Sequence, residues 1–336
     1  MIHARAAIPT LSAAGLVVCL AGCAPLQRTP DSLPDVVSDE ARIDLPERRV
    51  ILTAAPATPE GPPSTDIFLV DFDTDASPWR PVTVRRLTDR DGYDNQPHFE
   101  SDAGAILYTS MRDGQTDIFR YEVEDGTAER LCETSESEYS PTPVPGWPGF
   151  STVRVEADGT QRLWRFPGTP GAGRGPELVF EAIAPVGYHA WIDSETVALF
   201  VLGEPPELIV ANPVSQQTRT LARDIGRALH RVPDQMAVSY VDKSDPERWR
   251  IAAVEIASGE RRAIVDLPEG GEDFIWWSSH ELLIGSGSKL LLFDLDAPVP
   301  WREVADLSEY GLSGISRLSR SPRADAVAVV CERSES

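Results

Sequence analysis

Short runs of apolar residues alternating with turn residues dominate this chain from about position 66 onward. "AILYTS" (105–110), "DIFRYEV" (117–123) and "AERL" (128–131) read as three consecutive strands, and Asp-Gly in each joint marks a hairpin. The same phrase returns at 196–222, at 236–265 and from "ELLIG" through "KLLLFDL" to "WREVA". Aligning the middle strand of each phrase places Ile118, Leu163, Leu208, Ile251 and Leu290 in register, at steps of 45, 45, 43 and 39 residues. A period of that size, with about four short strands per unit, predicts blades stacked radially around a channel. A four-stranded sheet cannot cover both of its faces alone, so each must stack on its neighbours.

One further strand per unit precedes each phrase: "QPHFES", "SPTPVPG", "YHAWID", "LHRVPD", "FIWWSS" and "ISRLSR". Six such strands predict an all-β, six-bladed β-propeller. Phe99, Trp191, Trp277 and Leu318 share a register there and should pack between blades. The tetrapeptide "TDIF", written at 65–68 and again at 116–119, then begins the third strand of two successive blades. The chain stops before a sixth copy of the third and outer strands, whereas 66–72 and 82–88 supply them upstream. The sixth blade should therefore combine both ends, with 326–332 as its second strand and 49–55 extending or covering it. A rival pattern appears in "TLARDIGRALHRV", where Leu221, Ile225, Leu229 and Val232 follow a helical spacing. The unit spacing survives across it, which favours a loop helix or an obscured strand.

The stretch "RRLTDRDGYDNQPHFESDAGAILYTSMRDGQTDIFRYEVEDGTAERL" resembles the TolB-like, WD-type repeat of periplasmic TolB and related propellers. The shared residues are Leu87-Thr88, Asp94, Pro97, Phe99, Asp102 and Asp117-Ile118-Phe119, and Ala103 stands where the repeat expects a turn glycine. The likeness is good over roughly 66–131 and fades in later blades. It implies a TolB-like propeller working in the cell envelope.

The first residues have a different character. "MIHARAAIPTLSAAGLVVCLAGC" carries Arg5, then an apolar stretch too short for an ordinary spanning helix, then small residues before a cysteine. Residues 1–22 read as a signal peptide, and Leu20-Ala21-Gly22-Cys23 looks like a bacterial lipobox that would leave Cys23 as the lipidated first residue. Acyl chains there would hold the protein to a membrane surface. Ala24, rather than Asp, favours the outer membrane by resemblance to enterobacterial lipoproteins. Residues 24–48 are rich in proline and charge, and read as a tether with a reach of roughly 25–30 Å. The propeller occupies 49–336. Of the remaining cysteines, Cys132 and Cys331 could form a bridge in an oxidising envelope.

Charge narrows the partners. The chain has 31 basic and 53 acidic residues and a formal charge of −22, and no basic run matches a phosphate backbone. Nucleic acid is excluded as a partner, and an envelope protein or peptide fits better, bound by a monomer. The repeat alignment places Asp94, Glu138, Arg227 and Glu272 at comparable heights around one mouth of the channel, beside Tyr139 and Tyr188. Three acids, one Arg and two tyrosines could grip a peptide or a basic loop.

Enzymatic chemistry has less support. His98, His189 and His230 lie in inner strands, where a metal-dependent propeller enzyme of the carbohydrate lyase type would keep its ligands. By strand parity, His98 should face the opposite side of its sheet from the other two. "GLSG" (311–314) lacks the Gly-x-Ser-x-Gly spacing of a nucleophile elbow, and Asp71, Asp73 and Asp75 lack the Gly and Glu of a calcium loop. No cofactor is expected for the binding module.

Overall fold

A computed structural model describes residues 62–76, 78–168, 175–297 and 299–332. The signal peptide, Cys23, the tether and the strand expected at 49–55 lie outside the described residues. Among the described residues, twenty-four strands form six antiparallel sheets of four. Numbered along the chain from their inner strands, blade 1 runs from Asp94 to Arg130, blade 2 from Ser137 to Leu178, and blade 3 from Val186 to Arg223. Blade 4 covers Ile225 to Asp266 and blade 5 Phe274 to Asp306.

Blade 6 joins the two ends of the described chain. Its order from the channel outward is Arg317–Arg320, Ala326–Glu332, Thr65–Asp73 and Arg80–Arg86. The junction pairs Asp66 with Cys331 and runs through Asp71 with Ala326. Both "TDIF" copies therefore sit in third strands, Thr65–Asp73 and Gln115–Glu122.

The apolar interior is divided rather than central. Six hydrophobic clusters occur among the described residues, one between each pair of neighbouring blades. Alternation along each strand sends residues to both faces, and each face meets the next sheet. The periodic positions Ile118, Leu163, Leu208, Ile251 and Leu290 are all fully buried, and so is Ile67 in the composite blade. Phe99, Trp191 and Trp277 fill three of the inter-blade clusters, and Leu318 packs half-buried against the last of these.

The repeat's polar signature has a structural role. Arg86 donates to Asp66 at 2.6 Å, and the Ile67 amide donates to Thr88 Oγ1 at 2.9 Å, tying the third strand of blade 6 to its outer strand. In blade 1, Arg130 donates to Asp117 at 2.7 Å in the same way. Asp102 accepts from the Gly104 amide at 2.8 Å, which closes the turn before the second strand. Ala103, in that turn, has φ 61°, and Ala324 in the matching turn of blade 6 has φ 58°. Left-handed backbone costs a residue with a Cβ about 1–2 kcal/mol. Ala324→Gly should therefore raise stability by about 0.5–1 kcal/mol after glycine's larger chain entropy is subtracted. A chemical denaturation midpoint that falls instead would contradict this.

The helical spacing over 221–232 does not produce a helix. Thr218–Arg223 and Ile225–Arg231 are strands, the last of blade 3 and the first of blade 4, divided by Asp224 at φ 55°. Leu221, Ile225 and Leu229 are buried, but in the cluster between two sheets. Pairing with existing sheets outweighs a local period that Gly226 already weakens. Cys132 and Cys331 are free, buried and in different inter-blade clusters. Burial pushes the Cys331 thiol up to about 12 and raises that of Cys132 as well, so neither is a reactive thiolate at neutral pH.

Candidate functional site

The inner strands converge on the axis, and side chains from all six blades line a central cavity of about 360 Å³. Its lining begins with Tyr188, Arg227, Asp273 and Arg317, near the starts of their strands. It reaches Pro145 and Arg231 at the far ends, and both of these are exposed. The cavity therefore opens at the ends of the inner strands.

A charged network closes its floor. Arg227 Nε donates to Asp273 at 3.1 and 3.3 Å, and its Nη2 also reaches that carboxylate. Arg317 Nη1 donates to the other face of Asp273 at 3.0 Å, while Nη2 donates to the Tyr188 hydroxyl at 3.0 Å. Tyr188 belongs to blade 3 and Arg317 to blade 6, which stand opposite each other in a six-membered ring. One hydrogen bond thus spans the channel. Tyr93, buried beside this network, has its hydroxyl pKa raised by burial. Burial would also raise the Asp273 carboxyl, but Arg317 and Arg227 offset it and hold the acid below the usual carboxylate range.

The walls hold the three histidines. His98 lines the same cavity as His189 and His230. Its pairing with Leu107 turns it toward blade 2, the blade after its own, as His230 turns toward Phe274 of blade 5, whereas His189 turns back to Ser151 of blade 2. The parity expectation therefore holds against His189 and fails against His230. A register shift falls between Asn95 and His98, with Gln96 at φ 56°. Similar shifts occur at Tyr139/Thr142, Val186/Tyr188 and Ile225/Leu229, so strict alternation fails in these inner strands. Among the described residues, no three His, Cys, Asp or Glu side chains lie close enough together to hold a metal ion.

Burial depresses the imidazoles to about 4 for His98, about 3 for His189 and about 4 for His230. The unfolded chain takes up protons near pH 6.5, well before the folded one. Stability is therefore present above about pH 6.5 and is lost as pH falls toward 4. The thermal midpoint should drop by several degrees between pH 7 and pH 5, since each kcal/mol moves it by about 2–4 °C in domains of 150–250 residues. Replacing His98 and His230 by Gln should flatten that slope; an unchanged slope would assign the acid sensitivity elsewhere.

The residues expected at one mouth are only partly brought together. Tyr188 and Arg227 belong to the cavity floor. Asp94 and Glu138 are fully buried instead of exposed. Asp94 pairs with Arg90 at 3.6 Å, and Glu138 accepts from Arg154 at 3.1 Å and from Thr134 at 2.6 Å. Burial raises the Asp94 carboxyl and pushes that of Glu138 up to about 7. Both acids sit in strands whose polar side chains turn toward neighbouring strands, so neither presents a charge to a partner. Glu272 is half-buried and pairs with Lys243 at 2.8 Å, and Tyr139 packs half-buried beside the cluster between blades 2 and 3.

One contact resembles the start of a nucleophilic site. Ser151 Oγ lies 2.6 Å from His189 Nε2 and accepts from Trp191 Nε1 at 2.8 Å. A Ser-His-Asp arrangement needs an acid on the other ring nitrogen, but His189 Nδ1 has no hydrogen-bond partner among the described residues. Ser151 is itself completely buried.

No family model and no curated protein matches this chain. Solved structures do. The chain is similar to the "putative TolB" of Agrobacterium tumefaciens at TM-score 0.64 and 14% identity, over 82% of this chain and 100% of that one. It is similar to TolB from Acinetobacter baumannii at TM-score 0.56 and 11% identity, over 81% of this chain and 65% of that one. An oligogalacturonate lyase in complex with manganese aligns at TM-score 0.52 and 13% identity, over 75% of this chain and 80% of that one. At such identities the shared property is the architecture, and a propeller hosts many functions. The chain is a six-bladed β-propeller of the TolB-like fold.

Proposed function

We propose that this chain is an envelope lipoprotein, anchored through Cys23, whose propeller takes a protein or peptide segment into its central cavity. The observation that carries this reading is the central cavity itself. All six blades line it, the Tyr188–Arg317 bond crosses its floor, and its rim is exposed at the ends of the inner strands. A concave site with apolar walls and a few convergent polar groups suits ligand capture. The likeness to two TolB structures supports an envelope reading, together with the lipobox-like Leu20-Ala21-Gly22-Cys23. A tether over 24–48 would let the propeller search the periplasm from the outer membrane as a monomer.

Two experiments test it. A photo-crosslinking residue at Arg231, on the rim, should yield a discrete envelope-polypeptide adduct, and the same residue at exposed Val214 should not. Equal yields at both positions would overturn cavity binding. Cys23→Ser should move the protein out of the membrane fraction, because the lipid is its anchor; retention there, with no acyl mass on the wild type, would overturn the lipoprotein assignment.

One observation favours a second reading, a metal-dependent enzyme of the carbohydrate lyase type. His98, His189 and His230 share one cavity, and a manganese-bound lyase shares the fold. Metal analysis of the purified protein separates the two readings, with stoichiometric metal supporting the enzyme and trace content the binding module.

A further inference from the structure

We propose that the central cavity is a receptor for the free carboxylate end of a polypeptide, held between Arg227 and Arg317. The proposal deepens the binding reading above and rests on it.

Charge is the first argument. The chain carries a net −22, yet the charged side chains lining this cavity are Arg227, Arg231, Arg317 and a single acid, Asp273. With the three histidines neutral, the cavity holds a net positive charge inside a strongly acidic protein. Asp273 cannot neutralise both floor arginines. It is shared between them, and the described bonds use Nε and Nη2 of Arg227 but not Nη1. Guanidinium groups favour carboxylates because their N–H donors match two oxygens in a plane. Tyr188 accepts from Arg317 and so keeps its own O–H proton to donate.

Donor supply is the second. Pro97, Pro141, Pro143 and Pro145 form much of the wall, and none has a backbone N–H to offer. Leu229 and Phe274 make other parts of it apolar. Two of the three lining arginines and the Tyr188 hydroxyl therefore sit together at the floor, as suits a ligand with an apolar body and an anionic tip. Capture of a chain end by convergent donors is an established mode of peptide recognition.

His189 adds a neutral polar group to the wall. It lines the cavity, is only 8% exposed, and its Nδ1 has no partner. Its other nitrogen is occupied by Ser151, whose oxygen also accepts from Trp191 and lies 3.2 Å from the Thr142 carbonyl. Whichever tautomer the ring adopts, Nδ1 is left over.

The test uses the full acylated chain in detergent micelles, titrated calorimetrically with an N-acetylated apolar tetrapeptide bearing a free C-terminal carboxylate. The same peptide as its C-terminal amide, and propionate alone, are the comparison arms. The acid peptide should bind and the amide should bind about tenfold or more weakly, the scale of one charge-assisted hydrogen bond. Arg317→Gln should weaken the acid peptide alone. Because that change could disturb the floor, Arg231→Gln on the exposed rim is run beside it, with thermal unfolding recorded for both, and it should also weaken the acid more than the amide. Equal binding of acid and amide, or no binding of either, would overturn the proposal. Propionate binding as tightly as the peptide would reassign the receptor to free small carboxylates and overturn the chain-end part. If crosslinking from Arg231 still succeeds while the carboxylate has no effect, this inference fails and the binding reading stands.

Discussion

Truncation after Asp325 should leave a chain with no cooperative unfolding transition. The deleted strand, Ala326–Glu332, is buried at six of its seven positions and pairs on both edges, with Thr65–Asp73 and with Arg317–Arg320. It also contributes to two inter-blade clusters, through Val327, Val329 and Cys331 on one face and Ala326, Ala328 and Val330 on the other. At about 1.5–3 kcal/mol for each fully buried valine, the loss approaches the whole 5–15 kcal/mol that holds a typical domain folded. The outer two strands of blade 6 would lose the strand that joins them to Arg317–Arg320, leaving two open sheet edges. Deleting 24–45 should have little effect by comparison. Calorimetry of both deletions checks the pair, and a truncated chain that still melts in one sharp transition would show that the ring closes some other way.

Asp273→Ala should cost about 3 kcal/mol at pH 7, at the lower end of the 3–5 kcal/mol typical when one partner of a buried ion pair is removed. The lower end is chosen because the Arg227 side chain keeps 28% exposure and Arg317 keeps 16%. The variant leaves two guanidinium groups facing each other across the cavity floor, and Tyr188 then holds Arg317 alone. Its pH dependence gives a second check. The folded-state pKa of Asp273 is depressed, so its contribution is present above the unfolded value near 3.9 and is lost as pH falls through the folded one. The wild type and the variant should therefore keep their difference down to about pH 4 and converge only as pH falls further, through the depressed folded value. Urea unfolding at pH 7, and in steps downward from pH 4, measures both points. The double variant Asp273→Ala with Arg317→Gln should recover part of the loss, because it removes one of the two stranded charges. A loss below about 1 kcal/mol would mean that the floor network is solvated like a surface pair.

The architecture was legible because its signals are periodic and redundant. Five third-strand positions, from Ile118 to Leu290, repeat at nearly constant spacing, and a single misread strand cannot disturb that register. The composite blade followed from counting strands at each end. The cavity was harder to read. Side-chain facing in the inner strands depends on shifts such as those beside Gln96 and Ser140, and one extra residue reverses every assignment beyond it. That is why the parity expectation for His98 fails against His230, whose own strand shifts between Ile225 and Leu229, although it holds against His189. Asp94 and Glu138 were misplaced for a related reason, since a charged residue at the start of an inner strand can turn inward to an arginine as readily as outward to water. Asp273 lies one position from Glu272, the acid that the alignment selected. Arg317 could have been found from the register itself. Tyr139, Tyr188, Arg227, Asp273 and Arg317 recur at steps of 49, 39, 46 and 44 residues, one for each of blades 2 to 6. The partnerless Nδ1 of His189 has no signature in sequence, because it depends on where Ser151 and Trp191 arrive in space.

The central cavity, rather than the outer surface, should receive the partner. Hydrogen–deuterium exchange of the acylated protein, with and without the polypeptide crosslinked from Arg231, tests it most directly. Binding in the cavity should add protection to the inner strands Val186–Asp193 and Ile225–Arg231 and leave the outer strands Thr218–Arg223 and Arg261–Asp266 unchanged. Protection confined to those outer strands, with the inner ones exchanging as before, would contradict it.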